Sequence, residues 1–501
     1  MSAVTHPELI TSFIDGAFVP VPKGGHRLDI INPSTEDRLA ELCEADAQEV
    51  DRAVQAADTA FQQARWHGLP VEQRAAVLRR VADLTEKYSA ELCHLESLDL
   101  GMPARVAAAM VTARVTRNFR FYADSLSQAA ERAVRLDDQF QRYVHRDPVG
   151  VCGLISPWNA PLMLATSKIA PALAFGNTCV IKPSEYTPLA LARFMTLLLE
   201  AGVPPGVVNM VNGRGHVTGA ALVAHPQVGM VSFTGGGVAG RAIAAAAGQG
   251  LKKCDLELGG KSACIISDSA DLDAALDGSL LGMFANSGQA CFAGTRILVQ
   301  RGIADRFIEA FTARANAIRV GDPFDAQTEL GPLAYAAHFN RVQEFCQPQA
   351  SDGVQVLGGG QRVGQRGYFL QPTTLLTDKP QARAWREEIF GPVVTLMTYD
   401  RFEDAIALAN DSRYGLAAYV WSNRLDETLA ASQRLRAGIL MVNSPLVMDL
   451  RMPFGGYNES GVGREGIEGL RALYTEEKQV AIALKPFRTP VRLGARGAAG
   501  A

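Results

Sequence analysis

No stretch of the 501-residue chain approaches the roughly 18 consecutive apolar residues of a membrane-spanning helix. The opening segment Met1 to Ile10, with His6, Pro7 and Glu8, lacks the basic-then-apolar pattern of a secretion signal. Excess charge is missing too. The 49 Lys+Arg and 52 Asp+Glu leave a formal charge of -3, which argues against nucleic acid or an anionic membrane as the main partner. The eight cysteines (Cys43, Cys93, Cys152, Cys179, Cys254, Cys264, Cys291 and Cys346) stand singly with no C-x-x-C pair, so no zinc or dithiol site is expected from neighbouring thiols. Reduced thiols and a cytoplasmic location are the expectation. Short-period repeats and low-complexity tracts are absent, apart from an Ala/Gly/Arg-rich end after Arg492 that should fray. What remains is an ordinary globular composition, 48% hydrophobic and 20% charged, long enough for two or three domains.

The chain begins with Phe13-Ile14-Asp15-Gly16-Ala17-Phe18-Val19, apolar residues around an Asp-Gly that signals a tight hairpin. Asp46 with Glu49 forms a capping-box pattern. Leu78, Val81, Leu84, Tyr88, Leu92, Leu95 and Leu98 then recur at helical spacing until Gly101, so residues 46 to 130 read as helices with one buried face. From Val149 short apolar strands alternate with helices: Val149 to Ile155, Thr178 to Ile181, Val207 to Val211, Met230 to Phe233 and Cys254 to Leu258. Strict alternation predicts an α/β fold with a doubly wound parallel sheet whose ligands bind at the carboxyl ends of the strands. A second series (from Ala263, Thr295 to Gln300, Pro392 to Tyr399, Ala417 to Trp421, Gly438 to Val442) predicts a second such sheet.

Polar residues collect at those strand ends. Asn286-Ser287-Gly288-Gln289-Ala290-Cys291 places a cysteine among small residues that would let a substrate carbon reach the sulfur, although a lone cysteine is more often a small buried hydrophobe. Leu256-Glu257-Leu258-Gly259-Gly260-Lys261-Ser262 sets a carboxylate at the end of an apolar strand. Alone, Glu257 reads as a capped or ion-paired group, and the Gly-Gly-Lys-Ser is no phosphate loop, because Asp255 stands where that motif requires glycine. Asn159, in Pro157-Trp158-Asn159, is either a turn former or an amide aimed at an oxyanion. Gly235-Gly236-Gly237 leads a strand into a helix, a turn suited to a pyrophosphate. The first turn of the series lacks G-x-G-x-x-G, so the standard dinucleotide fingerprint is absent.

Taken together, Pro157-Trp158-Asn159, Lys182-Pro183-Ser184-Glu185, Phe233-Thr234-Gly235, Glu257 to Ser262, Gly288-Gln289-Ala290-Cys291, Glu388-Ile389-Phe390-Gly391-Pro392 and Pro453-Phe454-Gly455-Gly456 resemble the aldehyde dehydrogenase superfamily in order and spacing, over nearly the whole chain. The resemblance implies two Rossmann-like α/β domains plus a small β oligomerisation domain. Residues 1–128 and 148–258 would bind NAD, 259–473 would form the catalytic domain, and 129–147 with 474–501 would give oligomerisation strands and tail. It makes Cys291 the nucleophile, Asn159 and the Cys291 backbone N–H the oxyanion donors, and Glu257 the base that hydrolyses a thioester, with Lys168 and Glu465 as a secondary proton path or plain structural charges. It assigns the cofactor to Ile155, Ser156, Pro157, Trp158, Lys182, Ser184, Glu185, Phe233, Thr234, Gly235, Gly236, Leu258, Gly259, Glu388 and Phe390. NAD is favoured over NADP because the Glu185 carboxylate would repel a 2′-phosphate; Gly236 departs from the serine that many relatives carry. A homodimer or homotetramer is expected.

For the substrate, Arg120 and Arg451 resemble the pair that, in muconic-type semialdehyde dehydrogenases of aromatic catabolism, would hold a carboxylate, with Leu164 and Phe454 lining the pocket. Ala160 and Ser167 are smaller than the usual residues there and point instead to a wide pocket for a hydroxybenzaldehyde-type substrate. A non-enzymatic structural protein on the same fold would be expected to have lost Cys291, Asn159 or Glu257, and a cysteine hydrolase would leave Lys182, Glu185, Glu388 and Phe390 without purpose.

Overall fold

The chain opens on the expected hairpin. Asp15 and Gly16 both adopt positive φ, 48° and 87°, and join Phe13–Ile14 to Ala17–Phe18, with Phe13 paired to Phe18. The computed structural model describes residues 6–21, 24–109, 113–128, 130–348 and 352–486; the alanine- and glycine-rich end lies outside them. The hairpin adds to the edge of an eight-stranded sheet through Met210 and Phe13.

Helices follow because apolar residues recur on one face. Asp46 caps Ala47–Gln62 by accepting from the Glu49 amide, while the Glu49 carboxylate turns to Arg52 instead of completing a capping box. The periodic run up to Gly101 forms two helices, Val71–Lys87 and Ser89–Leu100, because the backbone breaks at Tyr88 (φ -101°, ψ 17°). Gly101 ends the second in the left-handed conformation. Trp66, fully buried beside these helices, donates its indole N–H to the Leu173 carbonyl at 2.7 Å and so ties the helical layer to the helix Pro161–Ala174 of the α/β layer.

The core of the first large sheet runs Lys253–Glu257, Val228–Thr234, Val151–Ile155, Thr178–Lys182, Val208–Met210, all parallel. The earliest strand, Val151–Ile155, lies in the middle, and the order reverses between it and Val228–Thr234. At such a point the connections diverge to opposite faces and leave a crevice at the carboxyl ends. The second sheet repeats the scheme with Ala263–Ile266 between Arg296–Gln300 and Ala417–Trp421. It also takes in Thr373–Thr377 and Val354–Gly358, which the sequence reading did not pick out. A separate three-stranded sheet pairs Phe140–Pro148 with Thr475–Ala483 over nine residue pairs and with Ala133–Val134 on the other side. Asn177 anchors it: its amide donates to the Tyr474 carbonyl and its carbonyl accepts from Gly150. No helix among the described residues is long and apolar enough to cross a membrane.

Trp66→Ala removes a fully buried ring and its hydrogen bond, and should lower unfolding stability by about 3–5 kcal/mol in denaturant titrations. A loss under 1 kcal/mol would mean that the two layers do not depend on this contact.

Candidate active site

Cys291 follows a backbone segment that few sequences tolerate. Asn286, Ser287 and Gly288 lie consecutively at φ 52°, 57° and 70°, a left-handed run that costs energy at the two non-glycine positions. Side chains hold it in place. Asn286 donates to the Asn159 carbonyl at 2.6 Å, Ser287 donates to the Gly331 carbonyl at 2.9 Å, and the Gln289 side-chain carbonyl accepts from the Ala334 amide at 3.0 Å. At Gly288 a Cβ would collide with the Gly391 carbonyl. The result is a half-buried Cys291 facing a cavity of about 370 Å³, lined also by Trp158, Asn159, Leu164, Glu257 and Glu388.

Asn159 stands just after the central strand, and its side-chain amide donates to the Gln289 carbonyl at 2.9 Å, which leaves its second N–H for a ligand. Glu257 ends its strand with both carboxylate oxygens buried and without a hydrogen-bond partner. Burial, with the charges of Glu465 and Asp255, raises this carboxyl well above the ordinary range; Lys168 and Arg464 oppose the shift. Burial, Glu257 and Glu388 push the Cys291 thiol up to about 12, against the backbone amides of Cys291 and Phe292. The glycines after Glu257 are required by close approach. A Cβ at Gly259 would strike the Glu388 carboxylate, and one at Gly260 would lie 2.5 Å from the Cys291 carbonyl.

Most of the anticipated cofactor residues occupy the same strand-end crevice. Pro157, Trp158, Thr234, Gly235, Gly236, Leu258, Gly259, Glu388 and Phe390 line the cavity. Ile155 pairs with Lys182 on one side and Phe233 on the other, and Ser156 donates its amide to the Lys182 carbonyl, so these sit at the same carboxyl edge. Lys182 is buried, its ammonium on the Pro183 carbonyl at 2.6 Å and the Glu185 carboxylate at 3.5 Å, and Ser184 accepts from the Tyr186 amide. The helix Gly237–Gln249 starts at Gly236 with no side-chain cap, and the space above Gly236 is open. Lys168 is fully buried and bridges the Ser232 hydroxyl (2.9 Å) and Glu465 (3.1 Å); Glu465 exchanges backbone hydrogen bonds with Phe454. Gly260 donates its amide to Glu388 at 2.8 Å.

Sequence reading missed one wall. Tyr335, Ala337, His338 and Arg341 come from the start of the helix Ala336–Cys346 and complete the cavity, with Trp158, His338 and Phe390 in mutual ring contact. No local motif marks them; only the packing of that helix brings them here.

The structure corrects the substrate arginines. Arg120 lies on the outward side of the helix Ala113–Leu126 in ion pairs with Glu86 (2.8 Å) and Asp83 (3.1 Å) and does not reach the cavity. Arg451 is exposed and committed to Asp449, two residues before it. A helix presents positions three or four residues apart on one side. With Asn118, Phe119 and Tyr122 packed inward, Arg120 is left to solvent. That helix instead directs Arg117 to the Met448 carbonyl (3.3 Å) and half-buried Arg114 toward Glu465 and Asp449. Ala160 is buried at the start of its helix, and Ser167 turns its hydroxyl back to the Leu164 carbonyl.

A cysteine after a left-handed turn, an amide donor and a buried carboxylate lie around the crevice of a doubly wound sheet. The model of the aldehyde dehydrogenase family matches residues 21–480, and the chain belongs to that family. It is 42% identical over 473 residues to an aldehyde dehydrogenase of Davidiella tassiana, covering 94% of this chain and 95% of that protein. It is likewise 42% identical to the mitochondrial aldehyde dehydrogenase of Homo sapiens, over 90% of this chain and 88% of that protein. Among solved structures, an NAD+ complex of an aldehyde dehydrogenase from Bacillus cereus superposes with a TM-score of 0.93 at 38% identity, covering 95% and 97% of the two chains.

Gly288→Ala forces a side chain into both a left-handed backbone and the Gly391 carbonyl. It should displace Cys291 and cut aldehyde turnover roughly 100-fold, as expected for an approximately 1 Å misplacement. Turnover within about threefold of the parent would show that the loop is not what positions the sulfur.

Proposed function

We propose that the protein oxidises an aldehyde to the free carboxylic acid with NAD, through a thioester on Cys291. The observation that carries this reading is that Cys291, Asn159 and Glu257 face one cavity whose other side is a strand-end glycine turn and Glu388. The residues suit a dinucleotide: the uncapped helix at Gly236 offers backbone N–H groups to phosphate, and the buried Ser156 hydroxyl has no protein partner. The Glu185 carboxylate beside Lys182 suits ribose hydroxyls and repels a 2′-phosphate, favouring NAD over NADP. When bound, the cofactor would supply a two-electron acceptor.

The chain's residues do the rest. The thiol, held protonated by burial, must pass its proton to solvent for the sulfur to add to the aldehyde carbon. The free N–H of Asn159 and the Cys291 backbone amide then receive the developing oxyanion. Once the carbon is oxidised to a thioester, Glu257 takes a proton from water, the oxygen bonds to the acyl carbon, and the C–S bond breaks to release the acid and the thiolate. Mixing the protein with NAD and a panel of aldehydes while following NADH tests the activity directly; no NADH with any aldehyde contradicts it.

Cys291→Ala should abolish turnover and leave NAD affinity nearly unchanged, as measured by fluorescence titration. Glu257→Gln should give one NADH per active site and then stall, because only hydrolysis needs the base; an unchanged steady state would remove Glu257 from the mechanism. Asn159→Ala should slow the reaction by roughly 10²–10³-fold. The raised Glu257 carboxyl also fixes a sign: as pH falls through its pKa the base is lost, so kcat should drop well above the ordinary carboxylate range while the first-turnover burst persists.

For the substrate we favour a carboxylated semialdehyde of the 2-hydroxymuconate kind, from aromatic catabolism. Its support is the pair of cations Arg114 and Arg117 on the helix Ala113–Leu126, beside the Met448–Asp449 segment that leads to Phe454, in place of the Arg120 and Arg451 pairing. Arg114→Met should raise KM at least about tenfold for a carboxylated semialdehyde and barely change it for a neutral aldehyde of similar size. Equal effects on both would favour the second reading, a hydroxybenzaldehyde-type substrate, which the small side chains of Ala160 and Ser167 support. We further propose the division into 1–128 with 148–258, 259–473, and 129–147 with 474–501, and assembly into a homodimer or homotetramer through the three-stranded sheet, whose exposed Val134, Leu136, Ile482 and Leu484 suit a protein partner.

A further inference from the structure

Asp255 belongs to none of the roles above, yet it is 1% exposed and lies two residues before Glu257 on the same strand. Side chains two apart on a strand share a face, and Gly463 and Gly455 come up against the two carboxylates. A Cβ at Gly463 would collide with Asp255 Oδ1, and one at Gly455 would lie 2.8 Å from Glu257 Oε1. A continuous chain of contacts joins Asp255 to the cationic centre of the site. Lys168 Nζ donates to Ser232 Oγ at 2.9 Å, and Ser232 Oγ donates to Asp255 Oδ2 at 3.2 Å. The other Asp255 oxygen is buried without a partner, as are both oxygens of Glu257.

The groups facing Asp255 can be named element by element. Glu257 and Cys254 lie on its own strand, Ser232 on the neighbouring one, Lys168 on the helix Pro161–Ala174, Arg464 and Glu465 on the segment before the last helix, and Tyr474 at that helix's end. Lys168 is the one fully buried cation in this set, and it is shared among Asp255, Glu257 and Glu465. Three carboxylates around one buried ammonium cannot all be ionised cheaply, so the cluster must retain protons.

We propose that Asp255 is a positioning residue for thioester hydrolysis: through Ser232 it draws Lys168 to its own side, and its negative charge sets the pH at which Glu257 becomes a base. The inference rests on Glu257 being the hydrolytic base. Burial holds the Asp255 carboxyl up to about 7, so its charge changes near neutral pH. An anionic Asp255 makes Glu257 a more avid proton acceptor and, by the same repulsion, delays its ionisation to higher pH. Removing that charge should therefore move the onset of hydrolysis to lower pH.

The test uses the full-length enzyme with NAD and one good aldehyde, recording the NADH burst and kcat against pH for the parent, Asp255→Asn and Asp255→Thr. Both variants should keep a burst of one NADH per site and shift the acid midpoint of kcat down by about one pH unit, the scale of one buried charge removed at this range. Below the parent's midpoint they should then turn over several-fold faster than the parent. A midpoint that stays in place, or a kcat reduced by one factor at every pH, would show a merely structural role and overturn the proposal. If neither variant folds, Ser232→Ala serves: without the hydroxyl donor Asp255 holds its proton more tightly, so the midpoint should again fall, and an unmoved midpoint overturns the proposal. Glu257→Gln separates the two levels. If it fails to stall after the burst, the assignment of Glu257 falls; if it stalls while the Asp255 and Ser232 variants leave the midpoint in place, only the role of Asp255 falls.

Discussion

Everything in the site depends on how the Asn286–Cys291 backbone is held. Three successive left-handed residues would relax in a free peptide, and they persist because Asn159, Gly331, Ala334 and Gly391 surround them with hydrogen bonds and steric walls. The bond from Asn286 to the Asn159 carbonyl and the bond from the Asn159 amide to the Gln289 carbonyl work in opposite directions. They lock the Cys291 loop and the Asn159 side chain to one another, so neither can move without the other.

The second constraint is desolvation. The site collects Cys291, Glu257, Asp255 and Glu388 where water is largely excluded, and burial drives each of these four toward its neutral form. In such a site a proton moved from one group changes the affinity of every neighbour. In the proposed mechanism this lets a resting thiol coexist with a carboxyl that later acts as a base, because burial favours the neutral form of both.

The fold was legible because its signals are periodic and local. The Asp15-Gly16 hairpin, the alternating strands and the Gly101 cap lie where apolar spacing and turn residues put them. Thr373–Thr377 and Val354–Gly358 escaped notice because neither segment stands out as a continuous apolar run, and the second is a half-exposed edge strand. That Glu257, Cys291 and Asn159 would stand at strand ends was legible through their motifs, and they line one cavity. Tyr335, His338 and Arg341 were not, since they reach the cavity only by the docking of one helix. Arg120 misled because sequence gives a residue's neighbours along the chain but not which side of the helix faces the pocket, and Asp83 and Glu86 claim it first.

The central claim, that acyl transfer passes through Cys291 and is released by Glu257, is tested most directly by mass spectrometry of Glu257→Gln quenched after one turnover with NAD and an aldehyde. The account predicts a mass increase equal to the acyl group, confined to the peptide carrying Cys291 and absent when NAD is omitted. An unmodified Cys291 peptide at full burst amplitude, or an acyl group on any other residue, would contradict it.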